Sequence, residues 1–145
     1  MGRVTVSLGN SSVSPGEMDL AKMLASIKIE RRAELVTVVS LPEPVALGDG
    51  VHAVLTEVEG TTVIATLDEA ERRGWPANFV AVWLTVQVHS SLEAVGLTAA
   101  MSRALTERQI PCNVLAGFYH DHLLVPVDRA DEAVATLESL AEPAN

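Results

Sequence analysis

The stretch from Phe79 to Leu140 constrains the fold more than any other part of the chain, because its hydrophobic period switches between strand and helix in a fixed order. FVAVWLTVQV (79–88) is almost continuously apolar, as a central strand covered on at least one face requires. Ser90-Ser91-Leu92-Glu93 reads as a capping box, with Ser90 capping and Glu93 reaching back. Leu97, Ala100, Met101, Ala104 and Leu105 then recur at helical spacing, with Gly96 inside the helix, and Pro111 predicts the stop. Two strands follow, Cys112–Phe118 and His122–Val127, joined tightly through Tyr119–Asp121. Asp128 is the expected cap of a last helix with the stripe Ala130, Ala133, Val134, Leu137 and Leu140.

The order β-α-β-β-α is a ferredoxin-like unit lacking its final strand. The first half reads the same way. A strand at 4–8 and a helix over 17–27 lead to charged IERRAE and a strand at 35–41. The loop LPEPVALGDG follows, then a hairpin turning at Glu59-Gly60, then a short helix capped by Asp68 and ended by Gly74. The expected fold is α+β: two βαββαβ modules with antiparallel sheets, residues 1–78 and 79–145, exchanging terminal strands to complete each other.

Composition narrows the function classes. Hydrophobic residues make up 48% of the 145, enough for a sizeable core, and the 3% aromatic content means an aliphatic one. Ten basic against nineteen acidic residues leave a net charge of -9. Residues 1–35 hold five bases and four acids, so the remainder carries five bases against fifteen acids. Such a surface repels phosphate backbones, which argues against nucleic acid. No apolar run approaches a membrane span, and no apolar region follows Arg3 as a signal peptide would need. The single cysteine, Cys112, allows no intrachain disulfide, and a cytoplasmic setting is expected.

Within His89–Leu140, the segments HSSLEAVGLTAA, CNVLAGFYHDHL and VPVDRA resemble the ACT-domain proteins, in particular the small stand-alone bacterial type with two ACT-like units. These are similar to the regulatory region of aspartokinase and to the CASTOR arginine sensors. Over 17–74 the resemblance is looser, carried by ELVTVVS and EVEGTTVI, and Leu55-Thr56 stands where the family usually has a charged residue. The resemblance implies the ACT fold, a regulatory role without catalysis or cofactor, an amino acid as ligand, and a homodimer. It places that ligand at the loop between first strand and first helix.

His89, Ser90, Ser91, Val95, Gly96, Asn113, Leu115 and Asp121 are the expected ligand-binding residues. Helix-start amides near Val95 and Gly96 would meet a carboxylate, because unpaired N–H groups and the dipole favour an anion there. Backbone of Asn113 and Leu115 would meet an ammonium, and Asp121 would read the side chain. The bland alternatives are concrete: Ser90 and Ser91 as cap and neighbour, Gly96 as a packing glycine, Asp121 as a turn residue. His120-Asp121-His122, with His89 nearby, invites a metal, but His-x-His lacks a third assured ligand and no metal is assigned. Cys112 with His89 is the one candidate nucleophile–base pair, against a buried inert thiol. A module that binds only proteins is the remaining alternative.

Overall fold

The computed structural model describes residues 19–88 and 90–142. Six strands, β1 (Ile29–Leu41), β2 (Val51–Thr56), β3 (Thr61–Thr66), β4 (Val80–Val86), β5 (Asn113–Ala116) and β6 (Asp121–Pro126), form one sheet. The order is β2-β3-β1-β4-β6-β5, with every pair antiparallel. The helices are α1 (Leu20–Ala25), α2 (Leu67–Arg72), α3 (Leu97–Glu107) and α4 (Ala130–Glu138).

The order β1-β4-β6-β5 is a complete four-stranded unit in which β1 serves as fourth strand to β4, α3, β5, β6 and α4. Reading from the other side, β2-β3-β1-β4 is the first, N-terminal unit, in which β4 is the fourth strand, and β1-β4-β6-β5 is the second. The terminal strands are therefore exchanged, and the two expected sheets are one. Where the second unit has α3, the first has the loop 42–50 between β1 and β2.

One face carries the core. Val82, Leu84 and Val86 of β4 and Leu123 and Val125 of β6 pack against Met23 of α1, Met101 and Leu105 of α3, and Ala133 and Leu137 of α4. Further along the same face, Trp75 covers Val39, Val51, Val63 and Ala65. The opposite face carries a smaller cluster, Val36, Ile64, Ala81, Trp83 and Leu124.

Several local expectations are corrected. Charged IERRAE is strand, because β1 starts at Ile29 and its register with β4 jumps from Arg31↔Leu84 to Leu35↔Val82. Three residues of β1, 32–34, thus stand opposite one of β4, Trp83, a bulge that points charges to both faces. Arg31 meets Asp131 of α4 at 2.5 Å, and Arg32 lies over the Trp83 ring. The Glu57 N–H donates to the Gly60 carbonyl at 2.9 Å, so Val58-Glu59 is the turn, one position before Glu59-Gly60. Thr66 caps α2, its hydroxyl accepting the Glu69 N–H at 3.1 Å, and Asp68 lies in the first turn. Gly74, at φ +69°, follows the end of α2 as expected. There is no capping box at Ser90: α3 begins at Leu97, and Gly96 is its N-cap at φ +104°. Gln109 at φ +56° turns the chain after α3, before Pro111 is reached. A 3-10 turn, Val127–Arg129, precedes α4, so Asp128 does not cap it. Asp19 caps α1 through the Lys22 N–H at 3.0 Å, while the expected strand at 4–8 and the start of the helix at 17 lie outside the described residues.

Candidate functional site

The loop from Ser90 to Gly96 leaves the end of β4 and delivers the chain to α3, beside the hairpin of β5 and β6. Between them is a cavity of about 180 Å³ lined by Ser90, Ser91, Gly96, Thr98, Ala116 and Asp121, among others. Two local facts shape the start of α3 there. Gly96 adopts a conformation that L side chains rarely take, and a Cβ there would meet Leu20 of α1 at 2.9 Å. The first backbone hydrogen bond of α3 is Ala100 N–H to the Gly96 carbonyl at 2.9 Å, and no side chain of the described residues caps the helix. The amides of Leu97, Thr98 and Ala99 are thus the orphan donors of an eleven-residue helix, and all three residues line the cavity. A positive dipole end and free N–H groups favour a carboxylate there.

Asp121, the first residue of β6, supplies the opposite sign. Its carboxyl is held above the usual carboxylate range by burial, and no basic side chain of the described residues pairs with it. The cavity therefore offers donors on one wall and a carboxylate on the other.

The expected site residues divide. Ser90, Ser91, Gly96 and Asp121 line the cavity together. Ser91 accepts the Glu93 N–H at 3.2 Å within the loop and so shapes it. Val95 is exposed and outside the lining, Asn113 pairs with Leu124 at the far end of β5, and Leu115 packs toward the smaller cluster on the other face. His89 lies outside the described residues. The amides of Thr98 and Ala99 are not legible in the sequence, because the capping-box pattern puts the helix cap at Ser90, six residues before Gly96.

His122 Nδ1 receives the Trp83 indole N–H at 3.1 Å and lies 3.0 Å from the Thr85 hydroxyl, on the face without the main core. Among the described residues no three His, Cys, Asp or Glu groups are placed to hold a metal ion. Cys112 is half-buried and burial pushes its thiol up, the opposite of an activated nucleophile. No sequence motif marks the cluster that Trp83 centres: Arg32 stacks 4.2 Å from its ring centroid, and His52 and His122 flank it at 6.0 and 5.2 Å. Its members come together through two bulges, at Arg31/Leu35 and Val51/Ala53, which leave no mark in the residue pattern. No helix of the described residues is long and apolar enough to cross a membrane.

Models of the ACT domain match residues 79–139 and residues 15–82. No curated protein matches. A Vibrio cholerae protein of unknown function, described as a possible transport protein, is 33% identical, with 85% of this chain and 96% of that one covered at a TM-score of 0.77. The aspartate kinase of Clostridium acetobutylicum shares the fold at a TM-score of 0.57 and 9% identity, over 80% of this chain and 34% of the kinase. Aspartokinase alpha and beta subunits do so at 0.54 and 13%, over 77% of this chain and 95% of that one. With ACT matches on both halves and a relative 33% identical over most of its length, this chain belongs to the ACT-domain family and carries two ACT units.

Proposed function

We propose that the chain is a non-catalytic regulatory protein of the cytoplasm that binds an amino acid in the cavity between the Ser90–Gly96 loop and Asp121. Membership of the ACT family supports the regulatory, small-ligand-binding part of this reading. The observation that carries the finer part is the pairing of an uncapped α3 N-terminus with a half-buried carboxylate across one small cavity. An α-carboxylate would sit on the Leu97–Ala99 amides, and the ammonium or a basic side chain would face Asp121. The proposal includes the division at residues 78/79 and a homodimer, for which light scattering at micromolar protein should give about twice the chain mass; a clean monomer would refute it.

A thermal-shift screen across the twenty amino acids tests the ligand. A ligand that binds only the folded state stabilises it by about 2.7 kcal/mol at a hundredfold excess over Kd, a rise of several degrees. Ala116→Leu should fill the cavity and abolish the shift, and Asp121→Asn should weaken it most for basic amino acids. Gly96→Val is unsuited, since it strains the backbone and strikes Leu20 whatever the ligand does. If a hit keeps its full shift in folded Ala116→Leu, the ligand lies elsewhere; if no amino acid shifts the wild type, the reading as an amino-acid binder fails.

A further inference from the structure

We infer a second ligand site, in the first ACT unit, for a small carboxylate with an apolar body, bound by Arg72 and Arg73 against Trp75. It is independent of the amino-acid reading above and uses none of the same residues. The groove measures about 540 Å³, within the range of small-molecule sites, and lies between the Pro42–Val45 loop and the end of α2. That loop stands where the second unit has a helix, so the groove is open for want of one.

The charges in the groove do not cancel. Glu69 is nearly buried and receives both arginines: Arg72 through Nε at 3.0 Å and a terminal nitrogen, and Arg73 through Nε at 2.6 Å. Arg72 and then Arg73 hold the Glu69 carboxyl below the usual range, so it stays ionised and consumes one positive charge of two. The terminal nitrogens of Arg73 make no hydrogen bond among the described residues, while its guanidinium stacks 4.8 Å from the Trp75 centroid. A guanidinium fixed at Nε and stacked on an indole is a preorganised fork, the geometry that takes a carboxylate through two parallel bonds. Trp75, Pro44 and Val45 supply the apolar wall beside it. Glu43 lines the mouth, exposed and with no ion pair among the described residues. Its charge opposes a simple carboxylate, which gives the proposal a variant whose effect has the opposite sign.

The probe is 4-methylpentanoate, with 4-methylpentanamide as its neutral isostere, titrated into 15N-labelled wild-type protein. Trp75 and Trp83 are the two tryptophans, so each indole N–H reports separately and Trp83 serves as internal control. The Trp75 indole and the Arg73 amide should shift saturably with the carboxylate and not with the amide, leaving Trp83 in place. Arg73→Gln should weaken binding roughly tenfold or more, equivalent to about 1.4 kcal/mol, and Glu43→Gln should strengthen it. Equal response to the amide, an unchanged Kd in Arg73→Gln, or no saturable shift at Trp75 would each overturn the proposal. Shifts confined to Leu97–Ala99 would do so too, while favouring the other cavity. If Arg73→Gln fails to fold, Glu43→Gln decides, because weaker or unchanged binding there contradicts the charge argument.

Discussion

Trp83 can only donate from its indole nitrogen, so the 3.1 Å bond to His122 Nδ1 fixes that nitrogen as unprotonated and puts the neutral ring's proton on Nε2. Charging the ring would place a second donor against the first. Burial, then the charges of Arg32 and His120, hold the His122 pKa below 6.5. The groups facing the cluster are Arg32, His52, His120 and Thr85, with Glu34 near His52 at 3.9 Å. The folded value is depressed, so folding binds fewer protons than the unfolded chain does. The stabilisation is present above about pH 6.5 and is lost as pH falls through the lower folded value. In a His52→Gln background, the melting temperature should therefore drop between about pH 7.5 and 5.5, and a further His122→Gln change should flatten that drop. An equal drop with and without His122 would show that the titration lies elsewhere.

The elements legible in the sequence are those whose burial is one-sided or complete. β4 had to be apolar because it lies between β1 and β6 in mid-sheet, and α3 showed its period because Leu97, Met101 and Leu105 face one core. β1 was half-hidden for a physical reason. Its bulge sends Arg31 to Asp131 and Arg32 to Trp83, so charges occupy both faces of a strand and no alternation survives. Gly96 misled in a different way. Inside a periodic run it reads as a tolerated helix glycine, whereas its φ of +104° excludes it from the helix, which starts after it at Leu97. That shift decides the site: the free amides belong to Leu97, Thr98 and Ala99, and exposed Val95 drops out. Asn113 and Leu115 were reasonable from β5 alone, but only the hairpin end, Ala116 and Asp121, reaches the cavity. The arginine groove was invisible because Arg72, Arg73 and Trp75 meet Pro44 and Val45 only after β1 and β3 pair.

At the scale of the molecule, the exchange of β1 and β4 joins two similar units in one sheet. Each half, taken as 1–78 and 79–145, would lose its fourth strand and expose an edge of the sheet where Val36, Ala81, Val82, Leu84 and Val86 are now buried. Fully exposing such a side chain costs about 1.5–3 kcal/mol, so losing even a few on each side consumes a net stability of about 5–15 kcal/mol. The loss is shared, because the helix-side core draws Ile29 from β1 together with Val82, Leu84 and Val86 from β4. Expressed separately, neither half should give a cooperative thermal transition by circular dichroism. Mixed at equal concentration, the two should recover one, since the strands that complete each half are present on the other. A half that melts cooperatively alone, with the native hairpin contacts retained, would mean that the units are autonomous and that strand exchange contributes little to the fold. Recovery on mixing would instead tie a ligand bound in one unit to the stability of the other, through the one strand pair they share.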